Sequence, residues 1–238
     1  MDMLELYEMD MLRRARGQAG FGYRTADLVL HLDGIQNTRA GTHNPFATVW
    51  EDLAGNMDVT LYNATWGADH AAFTGANDSY GLGEKWTFQT HGTFEVVYSR
   101  EYSKDLYGIA GWTKYNTATS RPGIYVESGR VSAIRGSNAG IVSNVTHPAN
   151  GVRLYAAFIR TAIYQNTQTY TISSPFIAAE TTNNLRIGAY GSDNNTNYVG
   201  MGLPGRIYAV RVYDANLTAE ELYAHWLIDK ARFNIPEA

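Results

Sequence analysis

The hydrophobic residues of this 238-residue chain change their spacing near residue 26. In residues 1–20 they recur at helical spacing, as Leu4, Tyr7 and Met11 with Met3 and Leu12 beside them. Acidic residues lead this segment and three arginines precede Gly17, an order that suits the helix dipole and the usual C-terminal glycine. The pattern predicts a short amphipathic helix over residues 1–20. Such a helix needs a surface to lie against, either its own β-domain or a partner subunit.

From Ala26 onward the spacing is that of β-strands. At least eight segments rich in β-branched and aromatic residues are bounded by turn-forming residues. In residues 94–99, Phe94, Val96 and Tyr98 share one side, which predicts a strand with one buried face. No long helical pattern interrupts residues 106–187, so the pattern favours an antiparallel sandwich or barrel over parallel βαβ units.

A second helix is predicted near the C-terminus. Thr218 and Glu221 form a capping box, and Leu217 and Leu222 stand at the two positions of a hydrophobic staple. The helix should therefore run over about residues 219–232, with its apolar side packed against the β-domain.

Composition supports a globular all-β chain and excludes several classes of function. The chain is 45% hydrophobic, 13% aromatic and 18% charged, whereas an average domain is about 25% charged. We expect one domain over residues 26–238, because β-sandwiches of this size commonly fold as one unit. A net charge of −4 argues against nucleic-acid binding. The absence of Cys excludes disulfides, thiolate metal sites and a Cys nucleophile.

The sequence also predicts a protein that is neither inserted in a membrane nor exported by a Sec signal. Residues 1–20 lack the apolar core of a signal peptide, and no later stretch reaches the roughly 18 apolar residues of a membrane span.

Four segments carry a family resemblance: LVLHLDGIQNT (28–38), WEDLAGN (50–56), LRIGAYGS (185–192) and GRIYAVRVYDANLTAEEL (205–222). Together they resemble the laminin-G-like domains of the concanavalin A-like lectin and glucanase superfamily. The first segment follows the family's opening pattern at Leu28, Leu30, Leu32, Asp33 and Gly34. His31 stands where Trp is common.

The resemblance implies an all-β, two-sheet antiparallel jelly-roll sandwich, a scaffold found in lectins, glucanases and viral appendage or decoration proteins. The short charged helix ahead of the first strand, and the closing DKARF of residues 229–233, are most similar to bacteriophage or prophage structural proteins. That similarity implies a virion or extracellular location, with other virion proteins or a second copy as partners through the helix of residues 1–20.

Hydrolysis of glycosidic bonds needs two carboxyl groups on either side of the scissile bond. The glucanases of this superfamily place them on a Glu-x-Asp-x-(x)-Glu strand, and this sequence has no such stretch. Glu95 and Glu101 are six residues apart and are expected to face solvent. We therefore predict no catalytic residues and expect that the protein is not an enzyme. A diverged glycoside hydrolase is the least favoured of the hypotheses.

No metal or cofactor is required by the sequence. The six histidines lack the spacing of zinc ligands. The resemblance implies calcium at a loop rim, where the candidate ligands are Asp69, Asp78 and Asp193. Ordinary Asx turns are the alternative at these positions.

Sugar binding would use an aromatic ring to stack on a pyranose face and polar groups to pair with its hydroxyls. The candidate ligand-binding residues are Trp66, Tyr80, Trp86, Trp112, Tyr115, Asp193, Asn195 and Tyr198. The alternative is that these aromatics fill the core. The favoured hypothesis is a non-enzymatic, phage-type structural or adhesion protein that recognises surface glycans, and the alternative is a free carbohydrate-binding module or lectin.

Overall fold

A computed structural model describes residues 22–76, 78–85, 92–102, 106–111, 123–127, 129–134, 140–159, 162–171, 184–190 and 201–237. These residues form eighteen strands and a C-terminal helix. The elements are β1 (Leu28–Asp33), β2 (Val49–Trp50), β3 (Val59–Tyr62), β4 (Thr65–Trp66), β5 (Ala71–Thr74), β6 (Tyr80–Lys85), β7 (Thr93–Arg100), β8 (Leu106–Gly111), β9 (Gly123–Glu127), β10 (Arg130–Ile134), β11 (Gly140–Thr146), β12 (Leu154–Ile159), β13 (Ala162–Gln165), β14 (Gln168–Thr171), β15 (Asn184–Ile187), β16 (Ala189–Tyr190), β17 (Met201–Gly202), β18 (Pro204–Tyr213) and α1 (Ala219–Phe233).

The first sheet is organised around β18, the longest strand. Its strands lie in the order β14, β13, β12, β7, β18, β5 and β4. β5 pairs with the first half of β18 and β1 with the second half, and both pairings are antiparallel.

The second sheet lies against one face of the first. Its order is β11, β10, β9, β8, β15, β6, β3 and β2, while β16 and β17 form a separate two-stranded ladder. The two sheets enclose one hydrophobic core, to which the first sheet contributes Phe94, Val96 and Phe158 and the second contributes Ile109 and Ile187. Phe94, Val96 and Tyr98 thus share the side of β7 that faces this core, as predicted.

Helix α1 covers the opposite face of the first sheet. Leu222, Trp226 and Phe233 pack there against Val97 and Tyr155 in a second hydrophobic cluster. β7 is therefore buried on both of its faces, whereas its pattern predicted only one. The second face is buried because α1 returns over it from the far end of the chain.

The all-β arrangement predicted from the sequence is confirmed at the level of two antiparallel sheets and one helix. The jelly-roll connectivity and the boundary between residues 1–20 and 26–238 stay predictions, since residues 1–20 lie outside the described residues. Within the described ranges, no helix has both the length and the apolar character needed to cross a membrane.

Several residues of the segments that resemble the laminin-G-like family stabilise the fold. Asp52 is fully buried and accepts four backbone N–H groups, including that of His31 at 2.7 Å and that of Met57 at 2.9 Å. The Trp50 indole donates to the carbonyl of Asp33 at 3.0 Å. A side chain at Gly34 would meet the carbonyl oxygen of Asp69 at 2.2 Å. These segments therefore build the turn after β1.

Candidate functional site

A groove opens where the first turn of α1 lies beside the edge of the first sheet. Its volume is about 380 Å³, which is within the range of small-molecule sites. It is lined by Tyr155, Tyr164, Asn166, Thr167, Thr169, Ala219, Glu220, Leu222 and Tyr223. We call it the helix–hairpin groove, because β13 and β14 form one wall and α1 the other.

The hairpin wall is held in place by the turn between β13 and β14. Asn166 adopts a left-handed backbone conformation with φ of 50°, which asparagine tolerates better than most residues. Its side chain accepts the backbone N–H of Tyr155 at 3.1 Å, and its own N–H donates to the Tyr155 carbonyl at 2.9 Å. Tyr164 lies opposite Thr169 in the β13–β14 register, so both point into the groove.

The groove combines aromatic and polar surfaces. Tyr164 and Tyr223 are half-buried, and Thr167, Thr169 and Glu220 are exposed around them. Burial raises the pKa of Tyr164, and the nearby charge of Glu220 raises it further. Aromatic faces beside hydroxyl, amide and carboxylate groups are the chemistry that recognises a sugar ring.

Beneath the groove, the first sheet and α1 bury a set of charged side chains. The Tyr155 hydroxyl, under the groove, donates to Glu95. Arg211 joins two carboxylates: its Nε lies 2.9 Å from Glu95 Oε2, and its terminal nitrogens donate to Asp229. Nδ1 of His225 lies 3.0 Å from Glu95 Oε1. We call these five side chains the buried network.

Glu95 is fully buried, so the expectation that it faces solvent is wrong. Burial by itself raises the pKa of Glu95. The charges of His225 and Arg211, together with hydrogen bonds from His225 and Tyr155, outweigh burial and lower this pKa to about 2. Glu95 is therefore ionised when it accepts the hydrogen bond of Tyr155, which lines the groove.

Tyr23 ties the segment ahead of β1 to this network. Its hydroxyl donates to Asp229 and accepts from Arg232 at 3.1 Å, while the guanidinium of Arg211 lies 4.1 Å from its ring centre. Arg232 also pairs with Asp33 at 2.6 Å. The chain that precedes β1 is thus anchored between the first sheet and α1.

Two of the predicted sugar-binding residues are described: Tyr80 is buried, and Trp66 is half-buried against the core. Trp66 lies edge-on against Trp50 at 5.1 Å, and its Nε1 donates to the carbonyl of Ala47 at 2.8 Å. Tyr80 is 4% exposed and stacks on Tyr62 at 4.9 Å. Neither residue lines the groove, since β4 is at the other edge of the first sheet and β6 is in the second sheet. Their contact with a ligand stays a prediction.

The two described calcium candidates lie at opposite ends of β5. Asp69 is 2.6 Å from Nδ1 of His70 and 3.0 Å from the guanidinium of Arg153, a charge that opposes a bound cation. Asp78 accepts the side-chain amide of Asn63 at 3.0 Å. The described part of the chain contains no group of three or more His, Asp or Glu side chains that could hold a metal ion. Calcium binding stays a prediction.

The remaining candidates lie outside the described residues. They are Trp86, Trp112, Tyr115, Asp193, Asn195 and Tyr198.

Sequence reasoning missed the groove, although one signal for it was available. Residues 164–170 read YQNTQTY, an alternation of aromatic and polar residues around a turn. This resembles the loop segments from which the other candidates were taken. The half of the site that α1 contributes had no such signal, because Glu220 and Tyr223 follow the ordinary pattern of a first helical turn.

Comparison with known proteins identifies the fold. No family model matches the chain. No curated protein matches it with significance. Among solved structures, the sialidase of Trypanosoma rangeli in complex with sialic acid matches 98% of this chain with a TM-score of 0.66 and 14% identity. The binding domain of Paraclostridial Mosquitocidal Protein 1 matches 87% with a TM-score of 0.60 and 13% identity. The binding domain of botulinum neurotoxin serotype D matches 84% with a TM-score of 0.58 and 11% identity.

These likenesses show a shared fold. The chain spans 40% of the sialidase chain, 53% of the mosquitocidal binding-domain chain and 51% of the botulinum chain. Function must therefore be argued from the site itself.

The expectation that the protein is not an enzyme is wrong as a conclusion from the sequence. Solved structures that match 98% of the chain include those of an enzyme, the T. rangeli sialidase. The sequence argument rested on the absence of one glucanase strand motif, and hydrolases place their carboxyl groups in more than one way.

Proposed function

We propose that the protein binds carbohydrate in the helix–hairpin groove. The observation that carries the proposal is the convergence of Tyr164 and Tyr223 with Asn166, Thr169 and Glu220 around a cavity of about 380 Å³. A sugar ring presents an apolar face and a rim of hydroxyls, and this site offers a partner to each. Tyr155, which lines the groove, is held in place by its hydrogen bond to the buried Glu95, and a preorganised site lowers the entropy cost of binding.

The proteins of similar fold support this proposal. One was solved in complex with sialic acid, and two are described as the binding domains of toxins. Because two of the matching structures are binding domains, this fold is a suitable scaffold for a lectin-like module here.

The proposal is tested by screening the full-length protein on a glycan array and measuring Kd for the glycans that bind. Tyr164→Ala and Tyr223→Ala should each weaken binding at least tenfold, which corresponds to about 1.4 kcal/mol. The matched control is Tyr170→Ala. Tyr170 lies on the same hairpin but pairs with Ile163, whose side chain belongs to the inter-sheet core, so it points away from the groove.

Tyr170→Ala should bind as the unmodified protein does. Absence of any glycan binding by the folded protein would overturn the proposal. Equal binding by Tyr164→Ala, Tyr223→Ala and the unmodified protein would do the same.

We further propose that this module is a laminin-G-like jelly roll displayed on a virion or other appendage, with residues 1–20 as its tether or assembly element. The charge order and apolar stripe of residues 1–20 support this role. The hydrogen bond from Tyr23 to Asp229 also supports this role, because it fixes the chain just after residues 1–20. A free lectin is the alternative, and the solution mass of a chain without residues 1–20 distinguishes the two.

A further inference from the structure

The charge of the helix–hairpin groove bears on which sugars it takes, an inference that rests on the proposed function. Among the described residues that line the groove, Glu220 is the charged one. Its side chain is exposed on the first turn of α1, and its charge reaches Tyr164, whose pKa it raises.

Among the described residues, no cation pairs with Glu220. The next residue, Glu221, closes the capping box with Thr218 and pairs with Arg24 at 2.8 Å. No ion pair or hydrogen bond of the Glu220 side chain occurs among the described residues. The guanidinium of Arg24 is already divided between Glu221 and Asp27.

The N-terminus of α1 lies beside the groove and attracts anions. Its dipole is equivalent to roughly half a positive charge. Two carboxylates, those of Glu220 and Glu221, already stand in this first turn. With Arg24 and Asp27 counted, the described charges at the mouth of the groove are net negative, so they repel an acidic sugar and not a neutral one.

We infer that the groove is specific for uncharged saccharides and discriminates against sialylated, uronic and sulfated ones, with Glu220 as the residue that determines this specificity. Its carboxylate accepts hydrogen bonds from the hydroxyls of a neutral sugar. An acidic sugar would bring a second negative charge within a few ångströms of it. The expected ligand thus differs in charge from the sialic acid bound in the sialidase of similar fold.

The experiment measures Kd for matched pairs of glycans on the full-length protein: lactose with 3′-sialyllactose, glucose with glucuronic acid, and galactose with galactose 6-sulfate. For each pair in which the neutral member binds, we expect the acidic member to bind about tenfold more weakly at 50 mM NaCl. The difference should shrink at 500 mM NaCl, because salt screens exposed charges.

Substitution of the glutamate should change this discrimination. Glu220→Gln should bring the two affinities to within about threefold, and Glu220→Lys should make the acidic member the better ligand. The control is Glu84→Gln, since Glu84 is an exposed glutamate on β6 of the second sheet. It should leave the ratio of the two dissociation constants unchanged.

Two failures are distinguishable. If neutral glycans bind and Tyr164→Ala abolishes their binding, but acidic partners bind equally well, the inference about charge is wrong and the sugar site stands. The same holds if Glu220→Lys leaves the ratio unchanged. If no glycan of either kind depends on Tyr164, the sugar site itself is wrong.

Discussion

At the scale of single residues, Glu95 links three elements that are far apart in the chain. Its carboxylate accepts hydrogen bonds from Tyr155 on β12 and Arg211 on β18, and contacts His225 on α1. Removing it would leave the charge of Arg211 buried and only partly paired. Such a loss costs far more than the loss of an exposed ion pair.

We therefore predict opposite outcomes for two glutamates. Glu95→Ala should lower the free energy of unfolding by about 3–5 kcal/mol. Glu101→Ala should lower it by at most about 1 kcal/mol, because Glu101 and its partner Arg206 are both exposed. Urea denaturation at pH 7 measures both. Equal costs for the two variants would contradict the importance of the buried network.

We predict that acid destabilises the protein, because two buried histidines have lowered pKa values. Burial lowers the pKa of His31 to about 3 and that of His147 to about 4. As the pH falls below about 6.5, the unfolded chain binds protons at these residues and the folded chain does not. The free energy of unfolding should therefore decrease with falling pH, by up to about 1.4 kcal/mol per pH unit for each histidine.

Below about pH 4.5 the loss should continue, because the pKa of Glu95 is about 2 in the folded protein and Glu95 takes up its proton more readily when unfolded. This replaces the share of His147, which fades as the pH approaches its folded pKa of about 4. Urea denaturation between pH 7 and 4 measures the slope, and His147→Gln should reduce it by the share of one proton. A stability that does not change between pH 7 and 5 would refute this prediction.

At the scale of elements, α1 is capped at both ends and packs along one side against the first sheet. Thr218 accepts the N–H of Glu221 at 3.2 Å, and Glu221 accepts the N–H of Thr218 at 2.8 Å. Asn234 closes the C-terminus in a left-handed conformation. The predicted capping box is thus confirmed, and α1 begins at Ala219 as predicted. Leu217 and Leu222, the predicted staple, are both buried in the second hydrophobic cluster.

Two substitutions separate the cap of α1 from its packing. Thr218→Ala should cost about 1 kcal/mol, because it removes the oxygen that accepts an otherwise unpaired N–H. Trp226→Ala should cost about 3–5 kcal/mol, because the indole is 4% exposed and packs on the first sheet. Phe46, which is 89% exposed, is the matched aromatic control.

Phe46→Ala should change the unfolding free energy by no more than about 0.5 kcal/mol. If Trp226→Ala lowered the unfolding free energy as little as Phe46→Ala does in chemical denaturation, the assignment of Trp226 to the packed side of α1 would be wrong.

At the scale of the whole molecule, the described residues form three layers: the second sheet, the first sheet and α1. The helix covers β18, β7 and β12, and β13 and the edge strand β14 extend past it. The groove lies beside the first turn of α1, over the strands that the helix leaves uncovered. The candidate site therefore depends on where α1 begins against the first sheet.

The proposed tether belongs to this scale. Deleting residues 1–20 keeps Tyr23, so the anchoring hydrogen bond to Asp229 is retained. The truncated chain should unfold cooperatively at the midpoint of the full chain, and its solution mass should fall to that of a monomer. An unchanged mass together with a sharply lower midpoint would instead mean that the helix packs on its own domain.

Local and periodic features were determined by the sequence alone. The alternation in residues 94–99 identified the inward side of β7, and Thr218 with Glu221 identified the start of α1. These features depend on residues a few positions apart, so their physics is contained in a short stretch of chain.

The tertiary structure decided what covers each face and which side chains meet. Glu95 and Arg211 are 116 positions apart, and Glu95 and His225 are 130 apart. The groove likewise joins the hairpin of residues 162–171 to the first turn of α1. A periodic pattern specifies the side of an element on which a residue lies, but the element that will cover that side is chosen only by the packing of the whole chain.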